Sequence, residues 1–114
     1  LTDLILPGAK HIYWVNKLKS GAYRVSTGYG KTLIDVTADG KTMRKLGGGP
    51  GYKFFCNAAE LDNGNTVMAN WTGHKPNDST KGVQLVEFDP KGNVVWSWHN
   101  PERAGTIHGV IVIE

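Results

Sequence analysis

The residues best equipped for chemistry sit in three short strings. Asn70-Trp71-Thr72-Gly73-His74 brings together an amide, an indole and an imidazole, a mix suited to stacking on a sugar ring or other flat ligand with hydrogen bonds around its edge. Ile107-His108-Gly109 puts a second imidazole at the head of an apolar run, where it could act as a metal ligand, a proton carrier or simply a backbone hydrogen-bond partner. Phe55-Cys56-Asn57 aligns with it, so that Asn57 and His108 join Asn70, Trp71 and His74 as candidate ligand-binding residues. Cys56 reads as a small buried filler, since nothing near it in sequence would depress a thiol pKa. His11 and His99 have no partner at metal-ligand spacing, and with one cysteine in the chain no metal site or cofactor is expected.

Other constellations are absent. The serines lack a nucleophile elbow, and the acidic residues lie in or beside turns, where Asp commonly bonds local backbone. Gly47-Gly48-Gly49-Pro50-Gly51 has no Lys-Ser/Thr ending and no helix after it, so it reads as a connection and not a phosphate loop. Asn70-Trp71-Thr72 and Asn77-Asp78-Ser79 match the glycosylation sequon, a pattern with a high false-positive rate.

These residues must be positioned by strands. Runs rich in Val, Ile, Tyr, Phe, Trp and Thr occupy 11–18, 22–27, 32–37, 42–46, 54–61, 65–70, 82–88, 94–99 and 107–113, each about the length of a strand, and no window sustains a helical period. The chain is expected to be all-β. Tight-turn signals at 19–21, 38–41, 62–65 and 90–93 alternate with looser connections at 28–31, 47–53, 71–81 and 100–106. In an antiparallel meander successive turns fall on opposite rims, which places every long loop on one rim, the expected location of a binding site. The 114 residues, 39% hydrophobic and 20% charged, make one ordinary globular unit and exclude a disordered tail. A net charge of +3 from scattered lysines argues against nucleic acid, and no apolar stretch is long enough for a membrane span.

The chain also repeats. Lys17-Leu18-Lys19-Ser20-Gly21 matches Glu60-Leu61-Asp62-Asn63-Gly64 at an offset of 43, and Leu33–Lys41 matches Leu85–Asn93 at an offset of 52. The difference falls in the 71–81 loop, where insertion costs least. Residues 107–114 then line up with 55–62, and Tyr13, Cys56 and His108 occupy equivalent positions at the starts of innermost strands. Four antiparallel strands recurring at this period point to β-propeller blades: a first blade with a leading segment over 1–53, a second over 54–106, and the innermost strand of a third over 107–114.

The strings Leu61-Asp62-Asn63-Gly64-Asn65-Thr66-Val67, Val83–Trp98 and Ile107-His108-Gly109-Val110 resemble blades of the bacterial PQQ-like (quinoprotein-like) β-propeller repeats. The resemblance implies an incomplete ring, finished by the remaining blades of the same ring or by other copies of the chain, since rings need about four to eight blades. A start without methionine fits a piece of something larger. The resemblance further implies an extracytoplasmic setting, periplasmic or secreted. Two functions follow as expectations. The first is a ligand-binding or protein-interaction segment that takes a carbohydrate or peptide at the long-loop rim. The second is part of a propeller enzyme, such as a quinoprotein-like oxidoreductase, with its centre on the ring axis. Trp96 and Trp98 are expected to pack between blades, and replacing Trp71 by Ala to weaken ligand binding while leaving folding intact.

Overall fold

The structure, a computed structural model, describes residues 11–114; the first ten residues of the leading segment lie outside the described range. The protein is all-β, as its composition and turn spacing predict. The strands are β1 (Trp14–Lys17), β2 (Tyr23–Ser26), β3 (Thr32–Val36), β4 (Thr42–Gly47), β5 (Phe54–Glu60), β6 (Thr66–Trp71), β7 (Leu85–Phe88) and β8 (Val94–Trp98). They form two four-stranded antiparallel meanders, β1-β2-β3-β4 and β5-β6-β7-β8. A single 3-10 turn, Asp78–Lys81, interrupts the longest loop.

The four tight turns are copies of one another. Gly21, Gly40, Gly64 and Gly92 take φ between 87° and 90°, a left-handed conformation that a side chain would strain. Each glycine N–H donates to the carbonyl three residues earlier, and the N–H of that earlier residue donates back across the turn, from Leu18 to Ala22, Thr37 to Lys41, Leu61 to Asn65 and Asp89 to Asn93.

The pairing registers repeat as well. Lys17 faces Tyr23 as Glu60 faces Thr66, Ser26 faces Leu33 as Ala69 faces Leu85, and Asp35 faces Arg44 as Glu87 faces Trp96. The irregularity before Val36 recurs before Phe88. The offsets seen in the sequence are therefore real structural equivalences.

The sheets stack through unlike faces. The core between them joins Leu33 and Leu46 of the first sheet to Phe55, Ala58, Met68, Val86 and Phe88 of the second. The repeat counterparts of Leu33 and Leu46 are Leu85 and Trp98, which belong to the other face of the second sheet because strand side chains alternate. The first sheet thus offers its front to the back of the second. Around this core, Ser26 Oγ donates to the Phe55 carbonyl at 2.6 Å and Phe55 N to the Gly28 carbonyl at 3.0 Å. Arg24 crosses the interface, its guanidinium paired with Asp35 at 2.7 and 2.9 Å and donating to Thr66 Oγ1 at 2.7 Å. Arg44 binds the same carboxylate and the Pro90 carbonyl. Burial alone would raise the Asp35 carboxyl, but the hydrogen bonds and charges of Arg24, then of Arg44, outweigh it and hold the group below its usual range.

The predicted run 107–113 forms no strand and joins no ladder. Side chains dock it instead: Asn57 Oδ1 accepts from Val110 N at 2.8 Å while Asn57 Nδ2 donates to the Val110 carbonyl at 3.3 Å. Further along, Ile111 and Ile113 are 88% and 94% exposed. A strand needs a backbone neighbour about 4.8 Å away, and among the described residues this run meets β5 through the side chains of Cys56 and Asn57 and not through a backbone ladder. The predicted run 82–88 likewise begins three residues late, at Leu85.

Candidate functional site

The rim that carries the long loops holds a pocket where residues from β5, β6, the approach to β1 and the 107–113 segment converge. Tyr13 arrives just before β1, Phe54 and Cys56 from β5, Trp71 from the end of β6, and His108 from the docked segment; Tyr29 and His74 come from the loops that follow β2 and β6. The cavity measures about 210 Å³, smaller than a drug-sized site and matched to a single ring or residue.

Its walls are aromatic and mutually braced. Phe54 meets Tyr13 and Tyr29 edge-on, each with centroids 4.7 Å apart, and Trp71 at 5.7 Å. His74 sits 4.5 Å from the Trp71 ring and His108 6.0 Å. The Lys53 ammonium lies 5.2 Å from the Trp71 ring centroid, a cation–π arrangement. Two groups in this wall bear on chemistry. The Trp71 indole N–H is buried and has no acceptor, which leaves a donor suited to a ligand oxygen. Burial pushes the Cys56 thiol up to about 11, against a smaller lowering by the Trp71 backbone, so at neutral pH it is an unreactive filler that donates weakly to the Ile107 carbonyl.

The structure therefore brings three of the five sequence candidates, Trp71, His74 and His108, into one pocket. It gives the other two structural work. Asn70 is fully buried, accepting from Lys53 N and Phe54 N and donating to the Val83 carbonyl at 2.7 Å, which ties the β4–β5 connection and the β6–β7 loop to β6. That burial also removes the first glycosylation sequon from access. Asn57 is the clamp on Val110 described above. Trp71 itself changes role. At 7% exposure it belongs to a small core with Cys56, Ala69, Phe54 and Leu85, so Trp71→Ala removes packing as well as a pocket wall, and unaltered folding is not the expected result.

The accessible rings are instead Tyr13 and Tyr29, 51% and 57% exposed, with the exposed imidazoles of His74 and His108. Tyr29 and Phe54 escaped sequence reasoning. The signal for Tyr29 was a lone aromatic between two glycines in a long-loop position. His99 does no more than bond the Gly82 carbonyl through Nδ1 at 2.8 Å. Within the 71–81 loop, Asp78 is held below the usual carboxylate range by its hydrogen bond from Lys81 and then by the Lys75 N–H, bonds that fasten the loop to itself. Among the described residues no His, Cys, Asp and Glu group is arranged to hold a metal ion.

No family model and no curated protein matches the chain. Among solved structures it is similar to a protein of unknown function from Bacteroides caccae, at a TM-score of 0.70 and 26% identity, over 85% of this chain and 38% of that one. The protein thus spans well under half the length of that neighbour.

Proposed function

We propose that the chain is a segment of a β-propeller, two blades with the inner edge of a third, and that it binds a ring-bearing ligand, foremost a carbohydrate, in the aromatic pocket at the channel mouth. The observation that carries the reading is the convergence itself. Repeat-equivalent positions Tyr13, Cys56 and His108 meet at one pocket, as they would around a ring axis, and its wall contains a buried donor with no partner among the described residues, the Trp71 indole N–H. Front-to-back stacking supports the blade reading, since it can be repeated sheet after sheet, whereas a sandwich closes two inner faces on each other. Exposed aromatic faces beside imidazole and indole donors suit a sugar ring, with apolar C–H faces and a hydroxyl edge.

The test is a panel of neutral and acidic mono- and oligosaccharides, with short peptides alongside, titrated against the protein by amide chemical shifts. Saturable shifts at the pocket are expected, with affinity lowered about tenfold in Tyr29→Ala and in His108→Ala, since losing an aromatic contact or a hydrogen bond is worth about 1–1.5 kcal/mol. Shifts confined to the tight-turn rim, or affinity indifferent to both substitutions, would overturn the reading.

A further inference from the structure

On the other side of the Trp71 backbone lies a second hollow of about 210 Å³, lined by Gly51, Tyr52, Lys53, Asn70, Thr72 and Lys81. Strand alternation turns Asn70 and Thr72 away from the aromatic pocket. Thr72 is 2% exposed, and its buried hydroxyl has no hydrogen-bond partner, a deficit that native structures rarely leave unanswered. The chains of Lys53 and Lys81 line it, the Lys53 ammonium resting 5.2 Å from the Trp71 ring centroid and Lys81 held by Asp78 Oδ1 at 2.7 Å. Gly82 keeps the space tight: a Cβ there would stand 3.3 Å from the Gly51 carbonyl oxygen.

The distribution of charge agrees. The long-loop rim carries Lys31, Lys53, Lys75, Lys81 and Arg103 against Asp78 and Glu102, whereas the tight turns carry Lys19, Lys41 and Lys91 balanced by Asp39, Asp62 and Asp89. The excess positive charge of the protein is thus concentrated on the rim with the hollow, where it draws anions in.

We propose that this hollow binds a small oxyanion, the carboxylate, phosphate or sulfate group of an acidic ligand. The Thr72 hydroxyl donates to one oxygen, and Lys53 and Lys81 supply charge-assisted bonds to the others. Asp78 competes for Lys81 and sets the site's affinity. An inorganic anion has no ring to place in the aromatic pocket, so its binding tests this site alone even though Lys53 also lies over the Trp71 ring.

The test titrates the protein with inorganic sulfate and with inorganic phosphate, replacing chloride at constant ionic strength, and follows backbone amide shifts. Saturable changes at Gly51, Lys53, Thr72 and Gly82 are expected, with a dissociation constant on the order of millimolar. Thr72→Val should weaken binding about fivefold, as loss of one hydrogen bond does, and Lys53→Gln by about as much. Asp78→Asn should tighten it by releasing Lys81. Shifts that rise linearly with salt or spread over all lysines overturn the proposal, as does affinity unchanged in both weakening variants. Should Thr72→Val fail to fold, Lys53→Gln, on an exposed side chain, decides the matter alone.

Discussion

Arg24 carries a full charge at a position with no exposure, on a strand whose sequence neighbours read as an ordinary polar–apolar alternation. Its three short hydrogen bonds join both arms of Asp35 to Thr66 of the second sheet. Removing Arg24 takes from Asp35 its fully buried partner and leaves it only the part-exposed Arg44, while Thr66 loses its donor. Arg24→Leu is therefore expected to lower unfolding free energy by about 3 kcal/mol, the low end for breaking a buried pair because Arg44 remains, measured by urea denaturation, while the pair Arg24→Leu with Asp35→Leu should recover part of that loss. The pH dependence follows from the lowered Asp35 pKa. The carboxylate's contribution is in place above the ordinary Asp value of 3.8 and disappears as pH falls through the lower folded value. Asp35→Asn should flatten the acid limb of the stability profile; an unchanged limb would show that other carboxylates set it. The sequence gives no hint of this network, because an Arg and an Asp eleven positions apart look like two solvated residues until strand register puts them opposite each other. For the same reason Asn70, an apparent ligand contact, proves to be a buried brace.

Most of the element layout was legible. Strand existence followed from β-branched and aromatic runs, and turn placement from glycines after Asp, Asn, Ser or Lys, because both signals depend only on local backbone preference. What local preference could not supply was the neighbour: 107–113 has the composition of a strand yet lacks a ladder, since pairing is a property of two segments. Gly47, at the end of β4, shows a similar gap between local and tertiary demands. Its φ is +86°, and a Cβ would stand 2.5 Å from a Phe55 ring carbon and 2.8 Å from the Lys31 carbonyl oxygen. Gly21 has nearly the same φ but open space around it. Gly21→Ala should cost about 1–2 kcal/mol, the left-handed penalty alone, whereas Gly47→Ala adds overpacking of about 1–3 kcal/mol in the core between the sheets. Thermal unfolding of the two variants separates these terms; equal losses would mean that Phe55 yields without resistance.

At the scale of the whole molecule, the front of the second sheet decides how the protein behaves in solution. The repeat assigns Val67, Leu85, Glu87 and Trp96 to the positions of Arg24, Leu33, Asp35 and Arg44, the residues through which the first sheet meets the second. On the second sheet this face borders an apolar groove, lined also by Leu61, Val110 and Val112, with Trp96 44% exposed. Beside it Ile111 and Ile113 stand exposed in a segment that joins no ladder, apolar side chains and unpaired backbone of the kind that recruits another chain. A sheet covering this face would meet tryptophan and aliphatic groups where the first interface has an ion pair, so its association would be driven by apolar burial and resist salt. The 12.4 kDa chain is therefore expected to associate at micromolar concentration and to bind an environment-sensitive apolar dye. Trp96→Glu combined with Ile111→Lys should return light scattering to the monomer mass and abolish dye binding, without altering far-ultraviolet circular dichroism. A wild-type chain that stays monomeric and dye-silent would mean that this face is satisfied as it stands, and the blade reading would lose the neighbour it requires.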